Sequence, residues 1–163
     1  MGLDFLPCKK VDEGASEPVK TGEKGQALIK EFEGCRLQTY LCPAGIPTAC
    51  VGHTGPDVQM GQTYTQAECD ALLAADLDRF EKGIKEQIDV PLKQEQFDAL
   101  VSWGFNCGLS ATGDSTLRHR LNAGEDVNTV IAEELPRWTS GGMPGLVRRR
   151  DAEVRLATTG QFP

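Results

Sequence analysis

Residues 29–55 read IKEFEGCRLQTYLCPAGIPTACVGHTG, and the rest of the chain is organised around them. The stretch begins as the end of an amphipathic helix, because apolar residues recur at helical spacing up to Phe32 and Gly34 is a typical helix stop. Residues 36–55 are repeatedly interrupted by proline and glycine, which predicts a small antiparallel sheet. The sequence therefore predicts a helix that brings the carboxylate of Glu33 to the edge of a small sheet.

Three polar residues in this stretch have an informative spacing. Eight residues separate Glu33 from Cys42, five separate Cys42 from Thr48, and Gly52-His53-Thr54 follows. This pattern resembles that of the phage-type lysozymes, the endolysin muramidases of glycoside hydrolase family 24, and similar signatures continue to about residue 160. The resemblance implies an α+β, mainly helical, lysozyme-like fold with a small β-hairpin lobe and a larger helical lobe.

These residue types suit the cleavage of a glycosidic bond with inversion, which needs a protonated acid and, on the opposite face of the sugar, a group that positions water. Glu33 lies beside Phe32 and Leu37, where partial loss of solvent would favour the protonated acid. The Thr48 hydroxyl can donate to and accept from a water. Cys42 replaces the more usual aspartate, and its sulfur can orient water only when it is not in a disulfide.

The resemblance also implies supporting roles for Arg149 and His53. Family members place an arginine near the catalytic glutamate, where a positive charge stabilises the acid once it has given up its proton. Arg149 matches that position, with Arg148 and Arg150 as alternatives and a helix-surface role as the other interpretation. His53 is expected to brace the hairpin rather than to take part in the reaction.

Six cysteines are present, and sequence alone does not determine how they pair. The resemblance to exported phage lysozymes implies an inactive Cys35–Cys42 bridge, which a third thiol opens by attacking Cys35, with Cys8 as the candidate. A Cys50–Cys69 bridge would join the hairpin to the long helix that follows. The alternative is that all six are reduced thiols in the host cytoplasm. No metal site is expected, because the chain has no CxxC pair and its two histidines are isolated.

The chain is predicted to form one lysozyme domain over residues 25–163, preceded by a flexible arm at residues 1–24. The small lobe is assigned to about residues 25–64 and the helical lobe to about residues 65–163. No segment approaches the length of about 18 apolar residues expected of a membrane span, and the start of the chain lacks the apolar core of a signal peptide. Neither stable membrane insertion nor a secretory route is therefore predicted.

The helical lobe contains several helix signals. Thr65 and Glu68 form a capping box ahead of a long helix that ends before Pro91. The next segment is apolar nearly all round and predicts a buried central helix. The later helices are predicted from caps, prolines and glycines. The predicted segments after the long helix are residues 94–106, 115–122, 127–138 and 146–159.

The formal net charge of −7 argues against nucleic acid as a partner, because phosphate binding needs a basic surface. We expect a monomeric muramidase without a cofactor that hydrolyses the β-1,4 bond between N-acetylmuramic acid and N-acetylglucosamine in peptidoglycan. Such a protein would be made in the host cytoplasm and act on the cell wall in the periplasm, causing host lysis. Two alternatives remain: a lytic transglycosylase that uses Glu33 alone, and a peptidoglycan-binding module without turnover.

Overall fold

The structure is a computed structural model that describes residues 17–163, most of which are helical. This confirms the predicted α+β, mainly helical fold class. In chain order the elements are helix α1 (Glu23–Glu33), strands β1 (Arg36–Leu41) and β2 (Pro47–Cys50), helices α2 (Gln66–Gln87), α3 (Gln94–Cys107), α4 (Leu109–Gly113), α5 (Thr116–Asn122) and α6 (Val127–Glu134), a 3₁₀ turn (Leu135–Arg137), and helix α7 (Pro144–Thr159).

The segment ahead of α1 is bound to the helical part of the molecule. The amide and the hydroxyl of Thr21 both donate to Glu81 Oε2 at 2.7 Å, and the amide of Gly22 donates to Asp98 Oδ1 at 3.0 Å. Because buried carboxylates on α2 and α3 hold this backbone, the arm predicted over residues 1–24 is wrong for its last residues. The rest of that predicted arm, including Cys8, lies outside the described residues.

Strands β1 and β2 form an antiparallel hairpin, which confirms the predicted small sheet. Arg36 lies opposite Cys50 and Tyr40 opposite Thr48, with a shift of register between these two pairs. The turn closes where the amide of Gly45 donates to the carbonyl oxygen of Cys42 at 2.8 Å. Gly45 has a φ of 77°, a conformation that favours glycine. The hairpin therefore places Cys42 and Thr48 on either side of one tight turn.

Helix α2 begins at the predicted capping box. The Thr65 hydroxyl accepts from the amide of Glu68 at 3.1 Å, and the Glu68 carboxylate accepts from the amide of Thr65 at 2.8 Å. These reciprocal bonds satisfy amides that would otherwise lack a partner at the start of the helix. The helix then buries one apolar stripe, which consists of Cys69, Leu73, Leu77, Phe80 and Ile84.

Helix α3 is the central helix of the molecule, as predicted. It packs against α1, α2, α4 and α7, and its Leu100 and Trp103 side chains are fully buried. The Trp103 ring packs edge to face against Trp138, with ring centroids 5.3 Å apart. Trp103 is therefore a core residue.

The predicted helix over residues 127–138 is wrong in its last third. Asp126 caps α6 by accepting from the amide of Thr129 at 3.0 Å, as predicted, but the helix ends at Glu134 and continues as a 3₁₀ turn. Pro136 explains the change, because proline has no N–H to donate and its ring clashes with the carbonyl group four residues earlier. The last helix, α7, begins with Pro144 and ends ahead of Gly160.

The buried apolar residues form two clusters. The larger includes Ile29 of α1 and joins it to the other long helices, and the smaller lies beneath the hairpin and consists of Ala49, Cys50, Val58 and Cys69. Since α1 packs against α3 and α7, the division into two lobes at residue 64 stays a prediction. No helix in the described part of the chain is both long and apolar enough to span a membrane.

Candidate active site

A cleft of about 570 Å³ opens between the turn that follows the hairpin and helices α2 and α3. Glu33 reaches it from the last position of α1, where Gly34, with a φ of 77°, ends the helix. The cleft is lined by acidic, basic, amide and aromatic side chains from four parts of the chain. Its lining residues are Glu33, Gly52, Thr54, Ala75, Asp76, Arg79, Phe80, Phe105 and Asn106.

Glu33 is paired with Arg149, whose Nη1 lies 2.7 Å from Glu33 Oε2. The Glu33 side chain is 24% exposed, whereas that of Arg149 is 4% exposed. The surroundings differ from the apolar ones expected, since Leu37 is exposed and the closest charged partner is a cation. Glu33 is therefore held in a charged contact at the edge of the cleft.

The other two arginines of this run point elsewhere. Arg148 is exposed, and Arg150 is fully buried, where it contacts Glu153 and donates to the side-chain oxygen of Asn106. Of the three arginines left open by the sequence, Arg149 is thus the one that contacts Glu33.

The hairpin turn brings Cys42 and Thr48 together. The Thr48 hydroxyl donates to the carbonyl oxygen of Ile46 at 2.8 Å, and Cys42 is a half-buried free thiol. The pKa of Cys42 is lowered by backbone hydrogen bonds from Ile46 and Ala44, with a further contribution from the Thr48 hydroxyl. A hydroxyl thus lies beside a thiol that is biased towards thiolate. Among the described residues, neither Cys42 nor Thr48 lines the cleft on which Glu33 opens.

Cys35 and Cys42 lie at opposite ends of β1. Both are free thiols here, and Cys35 is exposed. Seven residues of extended chain span roughly 20 Å, whereas the Cα atoms of a disulfide lie within about 7 Å of each other. A Cys35–Cys42 bridge and an intact strand β1 therefore exclude one another. Cys8, the third thiol considered in the sequence, lies outside the described residues.

The predicted structural disulfide is confirmed. Cys50, at the end of β2, is bonded to Cys69 in the first turn of α2, with their Cα atoms 5.0 Å apart. Both residues are buried in the smaller apolar cluster. The bond ties the hairpin to the long helix at a point out of contact with solvent.

His53 lies between two carboxylates. Its Nδ1 is 2.7 Å from Asp76 Oδ2 and its Nε2 is 2.9 Å from Asp57 Oδ2. Burial of the ring lowers the pKa of His53, but the hydrogen bonds to Asp57 and Asp76 outweigh it and the pKa is raised overall. The contact to Asp76 joins the turn after the hairpin to α2, so His53 occupies a bracing position next to the cleft.

Several residues around the site were not singled out from the sequence. Asp76 and Arg79 line the cleft from α2, but nothing in a long amphipathic helix marks which of its polar residues face a cleft. Glu153 had a usable signal, because it follows Arg150 and Arg149 by three and four residues on one helix, the spacing of neighbouring side chains. Within residues 17–163, no group of three or more His, Cys, Asp or Glu side chains is arranged to hold a metal ion.

Comparison with known proteins gives one consistent answer. The profile of the family described as Phage lysozyme matches residues 30–153. The chain is 38% identical over 141 residues to the endolysin of Acyrthosiphon pisum secondary endosymbiont phage 1, covering 82% of this chain and 94% of that protein. It is 38% identical over 134 residues to the SAR-endolysin of Escherichia phage Mu, covering 80% and 76%. The solved endolysin of Escherichia coli O157:H7 phage FAHEc1 superposes with a TM-score of 0.80 at 35% identity, covering 88% of this chain and 96% of that one.

Proposed function

Since this chain belongs to the phage lysozyme family, it is an endolysin muramidase, and we propose that Glu33 is its general acid and that Cys42 and Thr48 position the attacking water. Its substrate is bacterial peptidoglycan, in which it hydrolyses the β-1,4 bond between N-acetylmuramic acid and N-acetylglucosamine. The observation that carries the assignment of the acid is the position of Glu33 in the cleft, in contact with Arg149.

Glu33 donates its proton to the leaving glycosidic oxygen as the bond to the anomeric carbon breaks. The carboxylate that remains lies 2.7 Å from the Arg149 guanidinium, which stabilises the negative charge. Because about a quarter of the Glu33 side chain is exposed, it can take up a proton again from water once the product has left. The contact therefore supports the ionised half of the catalytic cycle.

Cys42 and Thr48 serve the other face of the sugar. The Thr48 hydroxyl holds a water, and the Cys42 thiolate accepts its proton as the oxygen attacks the anomeric carbon, which gives inversion. The lowered pKa of Cys42 supports this role, because the thiolate and not the thiol is the proton acceptor.

The protein is proposed to act as a monomer, without binding nucleic acid, after synthesis in the host cytoplasm. Relatives named SAR-endolysins, including that of phage Mu, support export as the step that brings it to the cell wall in the periplasm. The acidic net charge of −7 argues against the binding of nucleic acid, because phosphate binding needs a basic surface.

Activity is proposed to be gated by a Cys35–Cys42 disulfide. A Cys8 thiolate would attack the Cys35 sulfur, forming a Cys8–Cys35 bond and releasing Cys42 as a thiolate. Because Cys35 and Cys42 flank β1, they are too far apart to form a disulfide while this strand is intact. The bridged form must therefore lack this strand and the hairpin. Peptide mapping of the oxidised protein with activity assays on Cys8→Ser tests the scheme. Wild-type recovery of activity in Cys8→Ser without added thiol would exclude Cys8 as the attacking group.

The central experiment measures clearing of purified peptidoglycan by reduced wild type, Glu33→Gln and Glu31→Gln. Loss of a general acid is expected to lower the rate by on the order of 10²- to 10⁴-fold, and Glu31, an exposed neighbour on α1, serves as the matched control. Product masses that include one added water identify hydrolysis, whereas anhydro sugars identify a transglycosylase. Undiminished clearing by Glu33→Gln would refute the assignment of the acid.

A further inference from the structure

The Arg149 guanidinium that contacts Glu33 is itself held from other directions. Its Nε lies 3.3 Å from Glu153 Oε2, and its Nη2 lies 3.2 Å from the carbonyl oxygen of Ser102. A guanidinium is planar, so partners on all three nitrogens fix its plane as well as its position. The direction in which Arg149 presents Nη1 to Glu33 is therefore set by residues that do not line the cleft.

Glu153 is the carboxylate on which these contacts converge. Its Oε2 accepts from the Ser102 hydroxyl at 2.5 Å and from Arg149, and its Oε1 lies 3.0 Å from Arg150 Nη1, without the alignment of a hydrogen bond. Arg150 in turn donates to Asn106 in the wall of the cleft. Arg150 thus occupies one oxygen of Glu153 and leaves the other for Arg149.

Arg149, Arg150 and Glu153 form a cluster of two buried cations and one fully buried anion. Burial raises the pKa of Glu153, while Arg150, Arg149 and the Ser102 hydroxyl act in the opposite direction. A neutral Glu153 would leave both guanidiniums with only the partly exposed Glu33 as countercharge, and unpaired buried charge is costly. The carboxylate form is therefore the one that suits its surroundings. The other titratable groups near Glu153 and Glu33 are the Cys107 thiol at the end of α3 and, in the cleft, Asp76 and Arg79.

We propose that Glu153 is a positioning residue for the catalytic acid, which holds Arg149 on Glu33 and takes up part of its positive charge. The inference rests on the proposed role of Glu33. A general acid must bind a proton before each cleavage and lose it during cleavage. Because Arg149 contacts both Glu33 and Glu153, its attraction to the Glu33 carboxylate is weaker than that of a guanidinium directed at Glu33 alone.

The test compares Glu153→Gln and Glu153→Asp with wild type by kcat and KM on soluble peptidoglycan fragments, from acidic to alkaline pH. In Glu153→Gln we expect kcat to fall on the order of 10²-fold through misplacement of Arg149, with little change in KM. The alkaline limb of the kcat profile should move to lower pH, because Glu33 alone then faces the full charge of Arg149. Glu153→Asp keeps the charge and should restore the position of that limb.

Glu134→Gln is the matched control, because Glu134 is a buried glutamate paired with Arg120 at 2.8 Å, on α6 and outside the lining of the cleft. It should lower the melting temperature without moving the pH profile. If Glu153→Gln does not fold, Ser102→Ala removes the hydroxyl that donates to Glu153 and accepts from Arg149 Nη2 at 3.3 Å, and it should shift the same limb by a smaller amount.

A folded Glu153→Gln with the kcat of wild type and an unshifted alkaline limb of the kcat profile would overturn the proposal. If Glu153→Gln does not fold, the same result for a folded Ser102→Ala would overturn it. Glu33→Gln in the same assay tests the proposed acid separately from the positioning role of Glu153. An active Glu33→Gln would refute the proposed acid itself. An inactive Glu33→Gln together with an unaffected Glu153→Gln would refute only the positioning role.

Discussion

Cys42 has the least usual chemistry for its proposed role, because a sulfur occupies a place where a carboxylate would serve. We expect Cys42→Ala to lower kcat by on the order of 10²-fold, since the proton acceptor is lost. Cys42→Asp should stay active and no longer respond to reductant. Clearing rates with and without reductant measure both effects, and Cys107→Ala, at another half-buried free cysteine, is the control. Equal rates for Cys42→Ala and wild type would show that the thiol takes no part.

For single residues, the sequence predicted the site where the residues of a motif lie close together along the chain. Glu33, Cys42 and Thr48 lie within one short stretch, so their motif was visible without a structure. The choice of arginine was not, because neighbouring positions on a helix point about 100° apart and only the packing of α7 decides which of them faces Glu33. Ser102 carried no signal, since a buried serine that orients a distant arginine resembles any other core serine in sequence.

Among the elements, the hairpin depends most on its covalent link to α2. Closing the loop of 19 residues between Cys50 and Cys69 is expected to stabilise the fold by about 3 kcal/mol. The double variant Cys50→Ala/Cys69→Ala should lose about that free energy of unfolding in a urea titration, whereas Cys107→Ala should lose clearly less. A double variant as stable as wild type would mean that packing alone holds the hairpin on α2.

Element ends that are set by residues close together in sequence were predicted better than features that depend on contacts between distant parts of the chain. The start of α2 was predicted because Thr65 and Glu68 are three residues apart and cap each other. The end of α6 was misjudged because its apolar pattern continues past Glu134 while Pro136 changes the hydrogen bonding. The attachment of Thr21 and Gly22 was missed because it depends on buried carboxylates of α2 and α3 that are 60 and 76 residues away in sequence.

The stability of the whole molecule is expected to depend on pH through His53. Burial lowers the pKa of His53, but its hydrogen bonds to Asp57 and Asp76 raise it overall. The contribution of His53 to the free energy of unfolding is therefore complete below its ordinary pKa of about 6.5 and is lost as pH rises through the raised pKa. The pKa of Asp57 is lowered by its hydrogen bond to His53, so its contribution holds above about pH 4 and is lost as pH falls through the lowered value. These two groups together favour a maximum between those limits.

Urea unfolding at a series of pH values measures this dependence. His53→Gln should flatten the decline on the alkaline side, because the group whose charge is lost there has been removed. His119→Gln is the matched control, since His119 is the other histidine and is exposed. A wild-type free energy of unfolding that stays constant from about pH 6 to 8 would contradict the expected contribution of His53.

Four cysteines of the hairpin region, among the described residues, form two pairs of different accessibility. Cys50 and Cys69 are bonded in the interior, whereas Cys35 is open to solvent and Cys42 partly so. A small thiol reagent is therefore expected to react with Cys35 and Cys42 long before it reaches Cys50 and Cys69. Brief treatment of the reduced protein with a thiol-blocking reagent is therefore expected to prevent the proposed Cys35–Cys42 disulfide from forming, while the interior Cys50–Cys69 bond stays intact.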